Sequence, residues 1–239
     1  MLGAAKLGVY LCGLHKRKML TESTENYLKA ILQLEADRPE GVSTSAIAQR
    51  LDAQPASVTG MMRKLAEREW VNYERYKGVS LTASGRKHAL ATVRRHRLWE
   101  CFLVEKLGFG WDEVHELAEE LEHVRSRELT DRLDLFLGQP QTDPHGDPIP
   151  DADGKYRKAS KRGLLKDAAV GTQALIVGVV DSNDDFLRHL NALQIGLGTV
   201  LEVTERFPFD HSLSVVISRT KKQIQLSARA AQNLLWTSA

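Results

Sequence analysis

The chain has 239 residues, 42% hydrophobic and 27% charged, with 33 Lys and Arg against 31 Asp and Glu. That composition excludes a uniformly polybasic, tail-like protein and allows two or three small globular domains. The 2 cysteines, Cys12 and Cys101, exclude a disulfide scaffold and fit a reducing, cytoplasmic compartment, and no apolar run reaches the roughly 20 residues of a membrane span.

In chain order, residues 1–18 place an apolar stretch before the basic run His15-Lys16-Arg17-Lys18, the reverse of a secretory signal. They read as a disordered extension or a mis-assigned start. Thr21 or Ser23 caps a helix whose apolar positions Tyr27, Leu28, Ile31, Leu32 and Leu34 recur at helical spacing, and Pro39-Glu40-Gly41 ends it. Ser43-Thr44 caps a second, short helix with Ile47 and Leu51 inward. A turn at Asp52-Ala53-Gln54 leads to Pro55, suited to the first position of a third helix reaching Glu69, with Val58, Met61, Met62 and Leu65 on one face. Trp70–Arg75 and Val79–Thr82 read as two short strands around Tyr76-Lys77-Gly78. Two short helices at a tight turn followed by a basic hairpin make a winged helix-turn-helix, so residues 19–90 are predicted to form a DNA-binding domain.

Thr82-Ala83-Ser84-Gly85 opens a long helix to about Lys106. Another helix is predicted from Asp112 past Leu133, which completes a helical domain over residues 91–137. Residues 138–163 are rich in Pro, Gly and Asp and read as a linker. Residues 164–239 change character, with β-branched runs at 174–180, 200–204, 213–217 and 223–226, a helix at 184–193 and a last helical turn at 228–235. That pattern predicts a small SH3-like barrel. The expected fold class is mostly α with a small β domain.

The near-neutral total hides two opposed modules. Residues 44–97 carry 11 Lys and Arg against 4 Asp and Glu, whereas residues 98–136 carry 4 against 11. Basic modules suit phosphate backbones, and dense carboxylates suit cations. Within the acidic module His115, Glu119, Glu122 and His123 project onto one helical face about 100° wide, opposite Leu117, Leu121 and Val124. The preceding helix offers His96 and Glu100 one turn apart. Two helices presenting His and Glu in this way can converge on one or two divalent ions; a solvated acidic face is the plainer alternative. Glu119 stands where His-Glu-x-x-His needs its second His, and there is no Walker, dinucleotide or Gly-x-Ser-x-Gly motif. Nothing therefore points to an enzyme or a small-molecule substrate. Cys101 lies about 100° around the helix from Glu100 and reads as a small apolar residue.

A winged helix-turn-helix, then His96-x3-Glu100, then His115-x3-Glu119-x2-Glu122-His123, resembles the diphtheria toxin repressor family of metal-dependent transcription regulators. The segment Pro144-His145-Gly146-Asp147-Pro148-Ile149-Pro150 looks like that family's Pro-rich connection to a C-terminal SH3-like domain, and the likeness covers residues 20 to about 236. It implies an ancillary metal site of His96, Glu100 and His115. It also implies a primary site of Glu119, Glu122 and His123, closed by a residue of the first helix. Manganese-type members carry Glu at the position of Glu119 and iron-type members carry Cys. A hard carboxylate there favours Mn(II), while Fe(II) tolerates the same donors, with one or two ions per subunit. The family's first-helix ligand is Asp or Met, whereas the aligned residue here is Asn26; Lys29 stands where manganese-type members have Glu. Glu22 or Glu25 is the alternative donor. Asp181, Asp184 and Asp185 are the donors the SH3-like domain could add.

The resemblance further implies a homodimer that binds a palindromic double-stranded DNA operator when metal-loaded and represses metal-uptake genes. Base reading falls to Gln54, Pro55, Ala56, Ser57, Thr59 and Gly60 at the exposed start of the third helix, while Arg63, Lys64, Arg75, Lys77 and Arg86 suit phosphates. Without metal, carboxylate repulsion within residues 96–123 would leave the first helix untied from the acidic domain, so that metal sets the spacing of the recognition helices. The rival readings are a metal-independent winged-helix regulator whose acidic domain only dimerises and, more remotely, a metallohydrolase.

Overall fold

The computed structural model describes residues 20–36, 40–74, 78–156 and 162–239. The extension 1–18, Pro39 and the hairpin residues Arg75 and Lys77 lie outside the described residues. Helix α1 (Glu22–Glu35) is capped by the Thr21 hydroxyl, which accepts from the Thr24 N–H, and it buries Tyr27, Leu28, Ala30 and Ile31. Helices α2 (Thr44–Arg50), capped by Ser43, and α3 (Pro55–Ala66), with Pro55 in its first turn, share a core of Ile47, Val58, Met62 and Leu65 with it. Helix α3 stops short of the expected Glu69. Glu69 adopts a φ of 58° and the Trp70 N–H bonds back to Leu65 O, which turns the chain into the hairpin. There β1 (Val71–Glu74) pairs antiparallel with β2 (Gly78–Leu81), and Val79 also bridges Val42.

Helix α4 (Ala83–Leu107) runs 25 residues from the Thr82 cap to Gly108, whose φ of 75° ends it. Gly85 crosses beneath Trp70, where a Cβ would lie 1.8 Å from the Trp70 carbonyl oxygen, so this crossing requires glycine. Thr82 Oγ1 accepts from the Gly85 N–H and donates to Glu69 O, tying the hairpin to the start of α4. Thr82→Ala removes both bonds and is expected to lower stability by about 1–2 kcal/mol. The check is a lower urea midpoint at unchanged slope.

The single helix expected from Asp112 past Leu133 is two helices, α5 (Val114–Leu121) and α6 (Arg127–Phe136). Ser126 caps α6 by accepting from the Leu129 N–H, and Glu122 and His123 fall in the turn between the two. His123 thus leaves the helical face that unbroken periodicity assigns to it. Residues 141–156 are not a loose connection. Asp143 Oδ1 accepts from the N–H groups of His145 and Asp147, Ile149 is buried, and Arg94 donates to Pro150 O.

The C-terminal unit comprises β3 (Gly163–Leu164), a 3-10 turn at Leu165–Asp167, β4 (Gln173–Val179), α7 (Asp184–Ala192), β5 (Val200–Arg206), β6 (Leu213–Ile217), β7 (Gln223–Leu226), α8 (Ala228–Asn233) and β8 (Leu234–Ser238). Its antiparallel sheet has the order β3-β8-β4-β5-β6-β7 around a core that includes Leu165, Ile176, Leu190 and Leu201. The last helical turn expected at 228–235 is split: α8 ends at Asn233 and the chain re-enters the sheet as β8, between β3 and β4. The architecture is mostly helical with a small antiparallel SH3-like domain. Among the described residues no helix is long and apolar enough to cross a membrane.

Candidate metal centre

His96 and Glu100 stand one turn apart on the buried side of α4, and α5 brings His115 to them. Glu100 Oε1 lies 2.9 Å from His96 Nε2, 3.5 Å from His115 Nδ1 and 3.6 Å from His145 Nδ1. Asp143 completes the group. Ligand atoms of His96, Glu100 and His115 lie within 4.8 Å of one another, as do those of Glu100, Asp143 and His145. One buried carboxylate thus joins two sets of donors, one from the helices and one from the segment leading to the sheet domain.

The electrostatics favour a cation here. Burial opposes ionisation of Glu100, but the neighbouring His96 and the hydrogen bonds from His115 and His96 hold its carboxyl well below the usual carboxylate range. Burial, together with the charges of Glu100 and Asp147, pushes Asp143 up to about 7. Burial disfavours charge on His96, yet Glu100 beside it and its bond to Glu122 raise it to about 9. Glu100 among the imidazoles and Asp143, whose Oδ2 lies 3.3 Å from Arg97 Nε, form an oxygen and nitrogen donor set that suits a divalent ion. His96 Nδ1 lies 2.7 Å from Glu122 Oε2, and a bond there fixes the ring with Nε2 toward Glu100. Cys101 is no competitor: burial pushes its thiol up, and Sγ donates to Thr142 O.

Of the residues expected as the primary site, Glu119 and Glu122 meet at Lys29, and His123 does not join them. Lys29 Nζ lies 2.6 Å from Glu122 Oε2 and 3.4 Å from Glu119 Oε1. His123 Nδ1 instead pairs with Glu25 Oε2 at 2.8 Å, and Glu25 also receives Arg95 at 2.8 Å and Arg125 at 3.2 Å. As they stand, Glu119 and Glu122 are engaged by the Lys29 ammonium and His123 by Glu25. Through these pairs Lys29 and Glu25 fasten α1 to α4, to α5 and to the α5–α6 turn.

Asn26 is exposed on the wall of a cavity of about 450 Å³ that Lys29, His115 and Glu119 also line. Of the two acidic alternatives on α1, Glu25 is buried and Glu22 is exposed. Asp181, Asp184 and Asp185 are exposed around the start of α7, where Asp181 accepts from the Asn183 N–H and Asp185 pairs with Arg188. None of the three joins a ligand group among the described residues. The contribution from the C-terminal side is instead His145 and Asp143, which sequence reading placed in a linker. The available signal was a His with an Asp two residues away on each side.

On α3, Gln54, Pro55, Ala56 and Ser57 are exposed, Thr59 and Gly60 are half-buried, and Arg63 and Lys64 face solvent. The Thr59 hydroxyl donates back to Pro55 O, and Arg86, at the start of α4, pairs with Glu35 at 2.5 Å.

Three family profiles match the chain in order. They are the N-terminal DNA-binding domain of iron-dependent repressors over residues 19–79, the metal-binding and dimerisation domain of the same repressors over 82–151, and the FeoA domain over 164–236. The iron-dependent repressor IdeR of Mycobacterium tuberculosis is 38% identical over 133 residues, which is 55% of this chain and 56% of IdeR. The chain therefore spans about half the length of that relative. The transcriptional regulator MntR of Oceanobacillus iheyensis is 37% identical over 115 residues, 48% of this chain and 77% of MntR. Among solved structures, a manganese-dependent transcriptional repressor in complex with manganese is 39% identical, with 90% of this chain and 100% of that one covered and a TM-score of 0.78. With both repressor domains matched in succession and a relative's whole chain covered at this identity, the chain belongs to the iron-dependent repressor family of metal-dependent transcriptional regulators.

Proposed function

We propose that the chain is a Mn(II)-responsive, DNA-binding transcriptional repressor that acts as a cytoplasmic homodimer, with Fe(II) as the other ion its donors accept. The observation that carries this reading is the convergence of His96, His115 and His145 on Glu100 Oε1, with Asp143 beside it, on the helix that leaves the winged hairpin. Oxygen and nitrogen donors without a thiolate favour Mn(II) over thiophilic ions. A divalent ion bound there supplies the positive charge that offsets the repulsion between Glu100 and Asp143. His96 and His115 hold α4 against α5 at that point, and α4 transmits their position to the hairpin through Thr82 and Gly85. The exposed start of α3 then enters the major groove, where small side chains suit thymine methyl groups and Gln54 and Ser57 suit base edges.

Two recognition helices about 34 Å apart require a dimer. Leu107 at the end of α4 and Leu129, Leu135 and Phe136 on α6 are large apolar residues left exposed, and they supply a surface for it.

The test is a titration of chelator-stripped protein with Mn(II), anaerobic Fe(II) and Zn(II), following binding to a genomic DNA pool at fixed salt. Binding that appears only with metal, most strongly with Mn(II), is the expected result. Equally tight binding without metal overturns the reading in favour of a metal-independent regulator.

A further inference from the structure

We infer that Lys29 is a built-in cation that occupies the seat between His96, Glu119 and Glu122 and competes with a divalent ion for it. The inference rests on the metal-responsive reading above. Lysine is rarely buried unless it is paired, and Lys29 is only 7% exposed, on the inward face of α1 between Leu28 and Ala30. Its ammonium lies 2.6 Å from Glu122 Oε2, 3.4 Å from Glu119 Oε1 and 3.4 Å from His96 Nδ1. These groups come from α4, α5 and the turn after α5, so a single side chain of α1 gathers three elements as a bound cation would. An ammonium has three donors and one charge, and its tether keeps it present at any metal concentration.

The seat is not saturated. Glu122 is 1% exposed, and its Oε1 has no hydrogen-bond partner among the described residues. A carboxylate with one oxygen held by Lys29 and the other buried without a partner still favours added positive charge. Competition rather than permanent exclusion follows: an incoming divalent ion gains the second oxygen but must first displace the ammonium. Glu25 adds to the barrier by holding His123. Glu100, whose described ion pairs are with imidazoles, therefore takes up metal first, and Lys29 sets how much free metal the second seat requires.

Metal content after equilibrium dialysis and Mn(II) EPR titration of the full chain test this, with wild type, Lys29→Met, Lys29→Gln and each lysine variant combined with Glu100→Gln. The second seat in Lys29→Met is expected to fill at free Mn(II) at least about tenfold lower than in wild type, because a unit charge some 3 Å from two carboxylates has gone. That gain persists in the Glu100→Gln background. Mn(II) also raises the melting temperature of Lys29→Met more than that of wild type. Lys29→Gln, which keeps a donor for Glu122 without the charge, carries the same expectation if the Met variant does not fold. Lysine variants that fold and bind the same number of ions at wild-type affinity overturn the inference. Wild type that binds no ion, together with Lys29→Met that binds one, keeps the inference and overturns the reading of the Glu100 group instead.

Discussion

Glu100→Gln is expected to abolish metal-dependent DNA binding in a chain that still folds. Glu100 is 2% exposed, and a single oxygen of it faces the imidazoles of His96, His115 and His145. Gln preserves the shape but removes the charge that both donor sets share, and it turns an amide N–H₂ or a neutral oxygen toward the rings. Removing groups that merely orient a ligand lowers metal affinity by about 10- to 100-fold, so losing the shared anion is expected to lower Mn(II) affinity by at least about 100-fold. Calorimetry on the metal-stripped variant reads the affinity, and retention of a DNA pool with and without Mn(II) reads the switch. Affinity within threefold of wild type would show that the ion is held elsewhere.

The second large effect is expected at Gly146, one residue past His145. Gly146 has a φ of 89°, and a Cβ there would lie 2.2 Å from Val177 O and 2.4 Å from the Gly178 Cα. Both obstacles are backbone and cannot rotate away. Gly146→Ala must strain the left-handed position and also part the 141–150 segment from β4, at a cost of about 3 kcal/mol, or roughly 10 °C in melting temperature. His145 and Asp143 ride on that segment, so Mn(II) affinity falls with it. Gly196→Ala is the control. A Cβ there meets nothing within 4 Å, and little change is expected. Equal melting temperatures for the two variants would refute the packing described between segment and sheet.

Most of the architecture was legible in local signals. Thr21, Ser43 and Thr82 cap the helices that they announce, and strands β6 and β7 coincide with their β-branched runs. The helical half of the site was legible too, because His96 and Glu100 share a face of one unbroken helix. His123 does not share the helical face that periodicity gives it, because periodicity has no term for a helix that stops at Leu121 so that Ser126 can cap the next one. His145 and Asp143 were missed for a different reason: their approach to Glu100 is fixed by turns and backbone bonds, which leave no hydrophobic period. Strand β8 is specified by partners 70 or so residues away, β3 among them, and so reads locally as the tail of a helix.

His145 is stitched in two directions. Its carbonyl accepts from the Val179 N–H on β4, its ring faces Glu100, and alongside it Trp111 donates to Asn191 of α7. The sheet domain is therefore coupled to α4 and α5 through His145 and through the Trp111 and Asp112 contacts with Asn191. By reciprocity, whatever steadies the ring at Glu100 steadies the sheet against the helices, and whatever pulls on the sheet loosens the ring by the same free energy. On the metal-responsive reading proposed above, a load placed on the FeoA-like unit is expected to reset the metal level at which the winged helix responds.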